Sequence, residues 1–201
     1  ALKEKDGRRK IRTLVAGLFN TIPSGVGSEG AIKAGPKESK QILLKGAGWA
    51  IKNGYGIEDD LDNTEERGAI EGADPELVSE RAHARGRSQS GTLGSGNHFL
   101  EVQVIDQIYD DELARDFGVD EGQVVVMVHS GSRGLGYQVC DDFIKTMLNC
   151  VVKYNINIPD RQLACAPVGS KEGKDYLAAM RAAANYAWNN RQCLMHLARI
   201  V

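Results

Sequence analysis

Apolar residues recur with two periods along this 201-residue chain. Ile11, Leu14, Val15, Leu18 and Phe19 fall at helical spacing and predict an amphipathic first helix with a basic outer face, stopped by PSGVGSEG. A second helix is predicted over 37–52. An acidic, solvated stretch from Glu58 to Glu80 follows, within which Asp74-Pro75-Glu76 reads as the N-cap and first turn of a third helix. The period then changes. NHFLEVQVI and QVVVMVH are rich in β-branched and apolar residues and read as strands, with a short helix between them from Asp110 to Gly118. After Gly136, Val139, Phe143, Met147 and Val151 mark a long helix, and Tyr176 to Val201 marks another, rich in alanine. Several long helices around a small β core predict an α+β (mixed α/β) class. With no repeat and no linker in view, residues 1–201 read as a single domain or a piece of a larger one.

Composition narrows the picture by exclusion. A net charge of −2 gives no whole-chain field for a polyanion or a membrane surface, so any phosphate must be met locally. No apolar run approaches the roughly 18 residues of a membrane helix, and ALKEKDGRRKIR has no apolar signal-peptide core. The expectation is a soluble, cytoplasmic protein. Cys140, Cys150, Cys165 and Cys193 show no C-x-x-C spacing and sit beside apolar neighbours, which predicts reduced core cysteines. Glycine is abundant, with 23 residues against an average of about 7%, and it clusters in loops suited to close approach of something small and polar.

One of those loops, GVGSEG at 25–30, fits G-x-G-x-x-G by letter. A dinucleotide site needs a strand before it and an acid about 20 residues on. Here a helix precedes it and residue 50 is Ala, so a plain glycine loop is expected.

His98 opens one predicted strand and His129 closes the other. If the strands pair antiparallel, the two rings converge, an arrangement suited to a divalent metal whose remaining ligands come from elsewhere. Alternation places His98 with Leu100 and Val102 on one face, and Asn97, Phe99 and Glu101 on the other. His83, among Arg81, Arg85 and Arg87, is expected at the surface, and His196 in helix packing. After His129, Ser130, Gly131, Ser132 and Gly134 can direct amides at an anion where a helix begins, with Arg133 as a bidentate donor and Arg85 and Arg87 adding charge. A metal beside a phosphate points to phosphoryl or nucleotidyl transfer, or to metal-assisted phosphoester hydrolysis. A non-catalytic nucleotide- or RNA-binding piece is a third possibility.

PSGVGSEG (23–30), GTLGSGNHFLEVQ (91–103), HSGSRGLGYQV (129–139) and EGKDYLAAMRAAANYAWNNRQ (172–192) together resemble the RtcB family of RNA-splicing ligases. That resemblance implies a GTP- and manganese-dependent enzyme that joins an RNA 3′-phosphate or 2′,3′-cyclic phosphate to a 5′-hydroxyl through a guanylylated histidine. By motif, His98 and His129 are implied as manganese ligands, Asn97, His98, Phe99, Leu100 and Glu101 as guanylate contacts, and Arg133 and Arg85 as holders of RNA phosphates. An activating partner such as archease belongs to the same implication. The family's Asp-x-x-Cys element would lie before Ala1, and a further metal-binding histidine and the guanylylated histidine beyond Val201. Tyr137 stands where the family commonly has His. The chain is therefore expected to be the middle portion of a longer catalytic domain, inactive alone and weak in metal binding.

Overall fold

The computed structural model describes Lys3, residues 7–30 and residues 32–201; the remainder of the charged N-terminal stretch lies outside the described residues. Seven α-helices and two strands follow in the order α1 (Arg8–Thr21), α2 (Pro36–Lys45), α3 (Ala47–Lys52), α4 (Glu80–Gly86), β1 (Phe99–Val104), α5 (Asp111–Phe117), β2 (Val124–His129), α6 (Arg133–Lys153) and α7 (Lys171–Arg199). The architecture is mixed α+β, as the two periods predict.

The main core lies among the helices: Ile42 and Leu43 of α2, Trp49 and Ala50 of α3, Ala82 of α4, Leu135 and Val139 of α6, and Ala179, Ala182, Tyr186 and Cys193 of α7. The 29-residue α7 serves both halves of the molecule. Farther along it, Leu194 joins Leu18 of α1 and Ile22, the residue after that helix, beneath Leu100, Val102 and Val128 of the strands. Burying one face of a strand pair this way stabilises what two strands alone would not.

The segment 37–52 is two helices rather than one. Gly46 interrupts it with φ 49° and ψ −127°, and a side chain there would strike the Gly68 carbonyl. Apolar periodicity runs through such a break because the constraint comes from another part of the chain. The third helix is also divided: Asp74 caps only a single 3₁₀ turn, Pro75–Leu77, its Oδ1 accepting from the Glu76 amide at 2.9 Å. Ser79 caps α4 proper, with its Oγ 3.2 Å from the Ala82 amide. Helices α6 and α7 begin earlier than their apolar patterns, the latter capped by Ser170.

Most acidic residues of the segment from Glu58 to Glu80 are exposed, but Gly68, Pro75 and Val78 are buried, and so is Asp60. Its carboxylate accepts two bonds from Arg199, both 2.7 Å, one from Gln192 at 2.8 Å and one from the Ile57 amide at 3.1 Å. All four cysteines are free; Cys150 and Cys193 are buried as expected, whereas Cys165 is half-buried and Cys140 exposed on α6. No described helix is long and apolar enough to cross a membrane.

Candidate metal and phosphate site

Strands β1 and β2 pair antiparallel from Phe99 opposite His129 to Val104 opposite Val124. His98 immediately precedes β1, so both histidines sit at one end of the ladder, with ring centroids 6.2 Å apart. Among the described residues, the buried Nδ1 of His98 has no hydrogen-bond partner. Burial, and then the positive charge of Arg133 and His129, push this imidazole's pKa below its ordinary value. A neutral ring with an unengaged nitrogen is the form a metal requires. The two histidines thus fit a divalent cation as a partial ligand set. No cluster of three or more His, Cys, Asp or Glu able to hold a metal occurs among the described residues.

Arg133 occupies the first turn of α6 with φ 53°, a conformation uncommon for a non-glycine residue. Its Nε donates to Thr92 Oγ1 at 3.0 Å. Gly94, at φ 103°, leaves the space that the Arg133 guanidinium and the His98 Nδ1 fill, since a side chain there would collide with both. Arg85 runs past Gly134 and places its guanidinium 5.4 Å from the centre of the Tyr137 ring. The sequence-predicted arginines therefore flank the start of α6. The amide of Gly134 is already bonded to Gln89 Oε1 at 2.9 Å, so it is not a donor for an anion in this conformation.

Of the predicted guanylate contacts, Asn97 and Glu101 are exposed, and Phe99 lies 5.1 Å from the His129 ring. The Leu100 side chain turns into the cluster under the sheet, leaving mainly its backbone for a ligand. GVGSEG follows a helix and supports the neighbouring loop: Gly25 N donates to Gly94 O at 2.7 Å and Gly30 N to Ser88 O at 2.8 Å.

Two other histidines lie away from this place. His83 is buried, contrary to the surface position its arginine neighbours suggest, because α4 turns it toward α2. Its Nδ1 is 3.0 Å from Ser39 Oγ and its Nε2 3.4 Å from Pro75 O. His196 packs edge-on to Tyr55 at 5.5 Å, as expected of helix packing. Sequence reasoning missed Thr92, Gln89 and Asn190, buried or half-buried polar residues that tie the two glycine loops together. Only the concentration of asparagines in ANYAWNNRQ, on an otherwise apolar helix, hints at the last.

A family model described as tRNA-splicing ligase RtcB matches residues 1–201. A tRNA-splicing ligase RtcB from Archaeoglobus fulgidus is 56% identical over 198 residues, covering 98% of this chain and 41% of that protein. Its counterpart in Pyrococcus horikoshii is 55% identical over the same share of this chain and 23% of its own length. The protein of that name in Methanococcus maripaludis is 50% identical, with 98% and 41% covered. The chain thus spans about two fifths or less of the length of these relatives, and it belongs to the RtcB family of tRNA-splicing ligases.

Proposed function

We propose that the parent protein is a cytoplasmic RNA ligase, joining RNA 3′-phosphate or 2′,3′-cyclic phosphate ends to 5′-hydroxyl ends with GTP and manganese, in tRNA splicing or RNA repair. Residues 1–201 form part of its larger catalytic domain. The observation that carries this reading is the meeting of His98 and His129 beside Arg133 at one end of the strand pair.

In this reading His98 and His129 hold a manganese ion, which when bound offsets phosphate charge and polarises the reacting P–O bonds. Arg133, seated on Thr92, and Arg85, across the start of α6, neutralise the RNA terminal phosphate. Asn97, Phe99 and Glu101 face the guanylate from the open side of β1. The histidine that accepts GMP comes from a part of the protein outside these residues, so this chain supplies the cradle and not the nucleophile. GTP, when bound, would supply the guanylate that activates the RNA 3′-phosphate, with pyrophosphate as its leaving group. An archease-like activator fits the same scheme.

The test is incubation of the full-length protein with manganese, GTP and RNA ending in a 2′,3′-cyclic phosphate. Joined product is expected. Metal-dependent phosphate release without GTP would instead mark a phosphoesterase, and RNA binding without either would mark a binding module. In filter binding, Arg133→Ala and Arg85→Ala should each weaken RNA capture.

A further inference from the structure

Asn190, on α7, is fully buried, yet its side chain reaches both glycine-rich loops of the site. Its Oδ1 accepts from the Gly91 amide at 2.8 Å and the Thr92 amide at 3.1 Å. Its Nδ2 donates to Thr92 O, Ser130 Oγ and Gly131 O, each at 3.1 Å. Two hydrogens thus serve three acceptors, and one amide is saturated by backbone and hydroxyl partners some 60 and 98 residues away in sequence.

The partners matter because of what they adjoin. Ser130 directly follows His129, and its Oγ in turn donates to Leu93 O at 2.8 Å. Thr92, also fully buried, accepts the Arg133 Nε at 3.0 Å. Leu93 and Gly94 lead into the turn that presents His98, and Gly94 packs against both Arg133 and His98. The residue after Asn190 adds another tie, Arg191 Nη1 donating to Ser130 O at 3.2 Å. Neither loop belongs to a helix or strand, so past the last ladder pair, Phe99 and His129, these cross-links are what tie one loop to the other.

We infer that Asn190 is a positioning residue for the metal and phosphate site, a single amide that fixes the distance between the loop leading to His98 and the loop leaving His129. This rests on the functional reading above. Asn190 touches neither metal nor RNA in it; it acts through Thr92 on Arg133 and through Ser130 on His129. Supporting residues of metal sites commonly change affinity by about 10–100-fold when removed, and a decline in that range is expected here.

The experiment measures manganese affinity of the full-length protein, by electron paramagnetic resonance of free manganese, with the folded fraction of each variant matched by circular dichroism. Asn190→Ala should weaken binding by about 10-fold or more. Asn185→Ala is the control: Asn185 is equally buried on the same helix and makes comparable bonds, to Leu43 O at 2.9 Å and to Ile70, neither of them a residue of the two glycine loops. It should destabilise the fold while leaving affinity unchanged. Ser130→Ala removes one tie alone and should give a smaller loss, which keeps the test open if Asn190→Ala does not fold. Affinity unchanged in both Asn190→Ala and Ser130→Ala, or lowered equally by Asn185→Ala, would overturn the inference. A wild-type protein that binds no manganese would instead defeat the functional reading, and the inference with it.

Discussion

Phe99 stands directly opposite His129 in the strand register, and their rings approach to 5.1 Å with a 56° tilt. His98, one residue earlier, approaches the same imidazole to 6.2 Å. The His129 ring is thus bordered by both the Phe99 ring and a second imidazole. Replacing His129 with Ala should reduce manganese affinity by more than the roughly 10–100-fold typical of supporting residues. Phe99→Ala should cost about 1 kcal/mol of stability and only a few-fold in affinity. Titration of both variants with manganese, alongside thermal unfolding, separates ligand from neighbour.

Gly94→Ala forces a side chain into the space held by Arg133 and His98, at a φ of 103° that non-glycine residues avoid. Strain of this kind costs on the order of 1–3 kcal/mol. Relief requires displacing the guanidinium or the imidazole, so RNA capture should fall together with stability. Gly96→Ala, at φ 75° but with open space around it, should show the backbone penalty alone.

The Asp60–Arg199 pair makes stability dependent on acid. Hydrogen bonds from Arg199 first, and then from the Ile57 amide and Gln192, outweigh the cost of burial and hold the Asp60 carboxyl at about 2, against 3.8 for the unperturbed group. Because the folded value is the lower one, the unfolded chain binds the proton more tightly. The contribution is present above pH 4 and is lost as pH falls toward 2. It amounts to about 2 kcal/mol. Asp60→Asn should therefore be less stable than wild type in urea unfolding at pH 7, and the gap should narrow at pH 2.5.

His83→Ala should remove a buried ring and leave Ser39 Oγ without its partner, at a cost of about 2–3 kcal/mol. Manganese affinity should not change, since this histidine lies between α2 and α4. A loss of affinity beyond that of the folded fraction would place His83 in the site after all.

Cysteine chemistry gives an independent check on burial. Burial pushes the Cys193 thiol up to about 12, and raises that of Cys150 as well, where the nearby Glu172 adds to the effect. Cys140 is open to solvent. A maleimide added to native protein should modify Cys140 first and reach Cys193 only through unfolding.

The strands, the helix between them and the convergence of His98 with His129 were legible because each depends on local period and on the antiparallel pairing of neighbouring strands. What escaped depends on distant partners. The break at Gly46 exists because Gly68 passes close by, and no local signal marks it as different from a tolerated helix glycine. His83 lies among arginines in the sequence but faces Ser39, 44 residues away. Asn190 reads as a polar residue on an alanine-rich helix until its bonds to residues 91, 92, 130 and 131 are seen. Buried amides of this kind have no periodic signature, because their complement is irregular backbone and not an apolar face.

Among the described residues the ladder contains two strands, and apart from the isolated bridge of Lys3 to Gln123 at the foot of β2 no described strand pairs with the outer margin of either. Such a margin is a template for extension. Any extended segment laid along it, whether from elsewhere in the polypeptide or from a neighbouring molecule at high concentration, would gain a row of backbone bonds. It would also stiffen the very end of the ladder where the imidazoles meet. Slowed deuterium uptake confined to the outward-facing amides of 99–104 and 124–129 would report its arrival.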